Sequence, residues 1–178
     1  SSLVDVNLAV GTIVSIFEGC DLLQPGRNQA AAMYILYGPR TTLVYSVGKG
    51  VHEFGMNNLM EYTLIQENIS LESKGNLYSP GGQRNKYTPG TEAFVTHLEQ
   101  RGVKLRYSGG FVPDINQILL KGQGIFFYPH LNDQPKGKLR LLFELNPMAY
   151  LVEQAGGAAS NGHKRILDLQ PDEIHGRA

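Results

Sequence analysis

The stretch of residues 137–157 constrains the fold of this chain more than any other. It reads GKLRLLFELNPMAYLVEQAGG. Lys138 and Arg140 alternate with Leu139 and Leu141, and the period of two puts the cations on one face of an extended segment and the leucines on the other. We therefore predict a strand over residues 138–143 with one charged face and one buried face.

A helix is predicted directly after this strand. Asn146 can accept a hydrogen bond from a free backbone N–H, and Pro147 fits the first helical position. Gly156 and Gly157 predict the end of the helix. Apolar residues at helical spacing predict a buried stripe, formed by Leu145, Met148, Ala149, Val152 and Ala155.

Glu144 lies where the predicted strand ends and the helix begins. In α/β proteins such junctions bind phosphates and metals, because backbone N–H groups and the helix dipole favour anions there. A hard cation bridging Glu144 and a phosphate, with Lys138 or Arg140 balancing the remaining charge, is one hypothesis. The other is a surface ion-pair cluster that contributes little.

Composition sets the outer limits. The 178 residues fit one domain. Lys plus Arg and Asp plus Glu number 16 each, so nothing in the charge indicates nucleic acid or an acidic membrane as a partner. No stretch is apolar for long enough to span a bilayer, and we expect no signal peptide. The single Cys20 excludes an internal disulfide and fits a reducing compartment, so we expect a cytoplasmic protein.

The rest of the chain alternates between strand and helix patterns. We predict strands over residues 3–17, 41–47, 50–54, 62–66, 124–128 and 165–167, a short strand from 104, helices over 29–38, 91–101 and 111–121, and a loop over 74–89. This order indicates a mixed β-sheet flanked by helices, an α/β layered domain. Arg106 and Tyr107 precede a Gly109-Gly110 turn, which suits either an anion-binding loop or an ordinary turn.

The motifs also resemble one known family. The run KLRLLFELNPMAY at residues 138–150, with EQAGG at 153–157, is similar to the C-terminal signature of the fructose-1,6-bisphosphatases. The opening SSLVD, followed by VGTI at 10–13, resembles the run after that family's Asp-Pro-Leu-Asp-Gly metal motif. The resemblance covers nearly the whole chain and implies the C-terminal half of the fructose-1,6-bisphosphatase and inositol-phosphatase-like fold.

The resemblance further implies that residues 1–178 are a single C-terminal sugar-phosphatase domain without the family's N-terminal metal-binding half. Glu144 would then be the one side-chain metal ligand left, facing Mg²⁺ or Mn²⁺. Because a hard divalent cation takes about six oxygen ligands, we expect the isolated chain to bind Mg²⁺ poorly and to hydrolyse little.

Roles for individual residues follow from the resemblance as well. It implies that the backbone N–H groups of Ser1 and Ser2 hold the phosphate to be cleaved. Lys138 would reach the substrate, Arg140 would lie near the scissile phosphate, and Glu144 would bind the catalytic metals. The implied reaction is in-line attack of a metal-activated water on the 1-phosphate of fructose-1,6-bisphosphate, a step of gluconeogenesis.

Distal-phosphate binding is implied for Tyr107 and Tyr128, and Arg106 would reach into a neighbouring subunit's site. We therefore expect a sugar bisphosphate as substrate and a homo-oligomer, a dimer or a tetramer.

One segment departs from the family. Where the family usually has Ser-x-Asn-Glu-Gly-Tyr, this chain has SPGGQR at residues 79–84, which is similar to sedoheptulose-1,7-bisphosphatases. Arg84 could replace the missing Tyr as a bidentate phosphate ligand, or be a solvated loop residue. The alternatives to a fructose bisphosphatase are therefore a sedoheptulose or dual-specificity bisphosphatase, and an inactive binding and oligomerisation module.

Overall fold

The computed structural model describes residues 2–134 and 136–178 and contains two β-sheets. Five antiparallel strands form the first sheet in chain order, and three parallel strands form the second in the order β7-β6-β8. Helices pack against both, which confirms the predicted layered α/β class. Within the described ranges, no helix combines the length and apolar character needed to cross a bilayer.

The first sheet follows a short helix, α1 (Ser2–Asp5). Its strands are β1 (Val10–Phe17), β2 (Gln29–Tyr37), β3 (Thr41–Ser46), β4 (His52–Met56) and β5 (Tyr62–Gln66). The predicted strands at 41–47, 50–54 and 62–66 are confirmed. On the buried face, Tyr34, Val44 and Glu53 lie side by side across β2, β3 and β4.

Two predictions for this half of the chain are wrong. The segment predicted as a helix, residues 29–38, is the strand β2, in which buried Ala32 and Tyr34 alternate with more exposed neighbours. Pairing with β1 and β3 on both sides overrides the helical preference of its alanines. The strand predicted over residues 3–17 is confined to Val10–Phe17, because α1 occupies its start.

The second sheet consists of β6 (Leu77–Pro80), β7 (Lys104–Leu105) and β8 (Ile125–Phe127). The connections between them contain α2 (Pro89–Gln100) and α3 (Phe111–Lys121), so both predicted helices and both predicted flanking strands are confirmed. The central strand β6 lies inside the segment predicted as a loop. Its four residues are followed by Gly81 and Gly82, which hid the strand signal.

Residues 138–143 do not form the strand that their alternating pattern predicts. Residues predicted as a strand, 138–143, contribute one antiparallel bridge, between Arg140 and Arg177, and then enter a π-helical turn, Leu141–Leu145. The alternation is nevertheless real, since Leu139 and Leu141 are buried while Lys138 and Arg140 are exposed.

Helix α4 (Asn146–Gln154) continues from this turn and ends just before Gly156, as predicted. Asn146 does not cap it. The preceding turn occupies that end of the helix. The side-chain amide of Asn146 is fully buried and has no hydrogen-bond partner in the described part of the chain. The strand predicted at 165–167 is a 3-10 turn, Ile166–Asp168. Helices α3 and α4 pack on the first sheet, where Leu119, Met148 and Leu151 form the centre of the core.

Candidate active site

Three residues with predicted substrate roles meet in space. The hydroxyls of Tyr107 and Tyr128 are 3.1 Å apart. Lys138 Nζ donates to the Tyr128 hydroxyl at 2.9 Å and lies 4.6 Å from the centroid of the same ring. An ammonium over a ring face gains a cation–π attraction. We call these residues the tyrosine–lysine cluster.

The parallel sheet brings the cluster together. Tyr107 follows β7 and Tyr128 follows β8, the two strands on either side of β6. The carboxyl ends of parallel strands lie at one edge of a sheet, where α/β proteins bind ligands. The turn of residues 81–84, in which the sequence departs from the family, follows β6 at this same edge.

Gly81 determines how closely Tyr128 approaches the backbone. A Cβ at Gly81 would lie 2.6 Å from Tyr128 Cδ2, Cε2 and Cζ, well inside van der Waals contact. Its backbone N–H donates to the carbonyl of Phe127 at 2.8 Å. The sequence showed Gly81 as a departure from the family, and the structure shows that the departure makes room for the Tyr128 ring.

The electrostatics of the cluster suit an anion. Burial, followed by the hydrogen bond with Tyr128, raises the pKa of the Tyr107 hydroxyl well above its ordinary value of 10.0. The hydroxyl therefore stays protonated at neutral pH and can donate a hydrogen bond. Neutral O–H donors beside an ammonium are a good set of partners for phosphate oxygens.

A groove of about 590 Å³ opens beside Tyr107, and Arg84 and Arg106 line it. The hydrogen bonds of Arg106 within the described residues use its backbone. Its N–H donates to the Tyr78 carbonyl at 2.9 Å, and its carbonyl accepts from Ser79 Oγ and, at 3.2 Å, from Gln117 Nε2. This places the Arg106 guanidinium at the groove without tying it to a carboxylate there.

Arg84 is bound to two acids of α2. It donates to Glu92 from Nε and Nη2, with a shortest distance of 2.8 Å, and from Nη1 to Glu99 at 2.6 Å. The hydrogen bond from Arg84 lowers the pKa of the Glu99 carboxyl. A phosphate at Arg84 would have to compete with these carboxylates, so its role as a phosphate ligand stays a prediction.

Glu144 and Arg140 form a separate pair. The backbone N–H of Arg140 donates to Glu144 Oε2 at 2.8 Å. The side-chain Nε of Arg140 lies 3.5 Å from the same oxygen. Both contacts use Oε2. Within the described residues, 2–134 and 136–178, no three His, Cys, Asp or Glu side chains form a group able to hold a metal.

The remaining predicted residues add no side-chain geometry. Ser1 lies outside the described residues, and Ser2 begins α1. Sequence reasoning missed Asp114 and Gln117, which bind the backbone around Tyr107. The position of Asp114 in the first turn of α3, where an acid is favoured, is a sequence signal for it.

The chain is an α/β domain whose tyrosine–lysine cluster, at the carboxyl edge of the parallel sheet, has the donor groups that a phosphate would need. The family models agree and are more specific. Residues 71–178 match the model described as Fructose-1-6-bisphosphatase, C-terminal domain, and residues 1–67 match that of the N-terminal domain. The chain belongs to the fructose-1,6-bisphosphatase family.

Relatives and solved structures extend this result. The chain is 73% identical over all 178 residues to a class 1 fructose-1,6-bisphosphatase of Syntrophotalea carbinolica and covers 56% of it. It is 72% identical over its whole length to that of Geobacter sulfurreducens and covers 57% of that protein. The chain thus spans just over half the length of these curated relatives.

The crystal structure of Leishmania major fructose-1,6-bisphosphatase in holo form superposes with a TM-score of 0.94 at 34% identity. The match covers 99% of this chain and 60% of that one.

Proposed function

We propose that the protein containing this chain hydrolyses the 1-phosphate of fructose-1,6-bisphosphate, giving fructose 6-phosphate and phosphate, and that this chain supplies the substrate-binding half. The observation that carries the proposal is the convergence of Tyr107, Tyr128 and Lys138 at one edge of the parallel sheet. Membership of the fructose-1,6-bisphosphatase family supports it.

The cluster would hold the distal phosphate of the substrate. Tyr107 and Tyr128 offer hydroxyl hydrogens, and Lys138 offers a positive charge to the sugar or to the phosphate oxygens. Holding that end of the sugar fixes the reacting end, which is how binding energy remote from the chemistry is used to orient a substrate.

Glu144 would hold Mg²⁺ or Mn²⁺ together with oxygens from residues beyond this chain, and Arg140 would lie beside the scissile phosphate. When bound, such an ion activates an attacking water and stabilises charge on the phosphate oxygens. The contacts of Glu144 with Arg140 both fall on Oε2, which leaves the other carboxylate oxygen available to a cation. With one such acid, the isolated chain is expected to be almost inactive.

The proposal includes a cytoplasmic homo-oligomer, a dimer or a tetramer. Arg106 supports it, because the guanidinium lines an open groove while the backbone is held in place. Light scattering coupled to size exclusion measures the subunit number directly. A monomer at micromolar concentration would remove the role of Arg106 in a neighbouring site.

A sedoheptulose-1,7-bisphosphatase, or an enzyme of dual specificity, is the second candidate. The turn of residues 81–84 favours it, since Gly81 lets the Tyr128 ring pack directly against the backbone and the ion pairs of Arg84 line the groove. A wider distal pocket would admit a longer sugar.

The test of the proposed reaction is the identity of its product. A full-length protein containing this sequence is incubated with fructose-1,6-bisphosphate and Mg²⁺, and phosphorus NMR follows both phosphates. Loss of the 1-phosphate signal, abolished by EDTA, is expected. Release of the 6-phosphate would contradict the proposed orientation of the substrate. Activity that persists in EDTA would contradict the proposed need for a divalent cation.

A further inference from the structure

We propose that Asp114 and Gln117 of α3 are positioning residues for the distal-phosphate site and act through Tyr107. The proposal rests on the proposed function. It starts from Asp114, whose side chain is fully buried. Its carboxylate accepts from the Ser108 backbone N–H, at 2.9 Å to Oδ1 and 3.2 Å to Oδ2, and from Gln117 Nε2 at 3.0 Å.

These partners are unusual for a buried acid. Within the described ranges, neutral donors surround the Asp114 carboxylate and no cation pairs with it. A buried charge without a counter-charge is expensive. A role in core packing alone would favour an apolar residue, so we assign Asp114 to holding the backbone turn that contains Ser108.

Gln117 holds the other side of the same turn. Its Nε2 donates to the Arg106 carbonyl at 3.2 Å and lies 3.3 Å from Ser79 Oγ. The Ser79 hydroxyl also donates to the Arg106 carbonyl. One amide group therefore joins α3, the strand β6 and the residue before Tyr107.

Tyr107 lies between the two anchored groups. The carbonyl of the preceding residue is tied to Gln117, and the N–H of the following residue is tied to Asp114. With both flanking peptide groups held by α3, the direction in which the Tyr107 side chain leaves the backbone is fixed, and its hydroxyl meets that of Tyr128 at 3.1 Å. Loosening either anchor should misplace the hydroxyl without touching the substrate.

The test compares two substrates in the full-length protein. Fructose-1,6-bisphosphate uses the distal site, whereas fructose 1-phosphate has no phosphate to place there. Gln117→Leu and Asp114→Asn should raise KM for the bisphosphate by roughly tenfold or more, as expected for a misplaced binding group, with little change in kcat. The kcat/KM for fructose 1-phosphate should stay within about twofold. Equal losses on both substrates would overturn the proposal.

A double mutant and a matched control complete the design. In a Tyr107→Phe background, Gln117→Leu should add no further loss on the bisphosphate, and a full additional loss would refute action through Tyr107. Asn116 lies on the same helix, and Asn116→Ala removes its hydrogen bond with Tyr34 of β2. It should lower stability but affect the two substrates equally. If Asp114→Asn does not fold, Gln117→Leu carries the comparison. Wild-type protein that releases no phosphate from the bisphosphate would overturn the proposed function itself.

Discussion

Replacing Gly81 with Ala tests the packing of the tyrosine–lysine cluster. The new Cβ would lie 2.6 Å from three atoms of the Tyr128 ring, whereas ordinary contacts begin at 3.4 Å. The ring must therefore retreat by roughly 1 Å to restore contact. Gly81 lacks the positive φ of its neighbour Gly82, so the substitution strains the contact and not the backbone.

The size of the effect follows from the hydrogen bonds. A retreat of roughly 1 Å would stretch the 2.9 Å bond to Lys138 and the 3.1 Å bond to Tyr107 past hydrogen-bonding distance. Overpacking costs about 1–3 kcal/mol of folding free energy. If the displaced Tyr128 and its partners lose two hydrogen bonds to the phosphate, at about 1 kcal/mol each, KM for fructose-1,6-bisphosphate should rise roughly 10- to 30-fold.

The assay is thermal melting together with steady-state kinetics of the full-length protein. Gly90→Ala is the matched control, because a Cβ there meets nothing within 4 Å. It should leave KM unchanged. An unchanged melting temperature and KM in Gly81→Ala would refute the view that Gly81 makes room for Tyr128.

Three further substitutions test other parts of the site and the core. Tyr128→Phe keeps the ring and removes the hydroxyl, so KM for fructose-1,6-bisphosphate should rise on the order of tenfold while the melting temperature holds; an unchanged KM would exclude the hydroxyl from binding. Glu144→Gln in the full-length protein should lower kcat on the order of 100-fold, yet fold normally, since the amide oxygen can still accept from Arg140; normal turnover would remove Glu144 from the metal site. Burial raises the pKa of Glu53 above its ordinary 4.5, against the opposing effect of Arg40, so the folded state holds its proton more tightly. The contribution of Glu53 to stability should therefore fall as pH rises above about 4.5, and urea unfolding at pH 5 and pH 8 should show a smaller decline for Glu53→Gln; equal declines would contradict this.

Local patterns predicted the fold where each element determines its own structure. Helices α2 and α3 and the strands at Thr41–Ser46 and Tyr62–Gln66 carry their own periodicity or capping signals. Strand β2 does not, because an alanine-rich segment takes its conformation from the strands on either side. The π-helical turn at Leu141–Leu145 escaped prediction for a similar reason. Arg140, which precedes the turn, pairs with Arg177, a residue distant in sequence.

The site shows the same division. Family motifs indicated Tyr107, Tyr128 and Lys138, and their meeting needed the order of the parallel strands. No role was assigned to Asp114 or Gln117 from the sequence. Their importance comes from contacts across the fold with the backbone around Tyr107, which a linear pattern does not reveal.

The most direct test of the account is steady-state turnover of the full-length protein on fructose-1,6-bisphosphate and sedoheptulose-1,7-bisphosphate, side by side with Mg²⁺. We expect phosphate release from both to be measurable and kcat/KM to be clearly higher for fructose-1,6-bisphosphate. Preference for the seven-carbon sugar would make the turn of residues 81–84 the determinant of specificity. Phosphate release from neither substrate would contradict the assignment of this chain to the substrate-binding half of a sugar bisphosphatase.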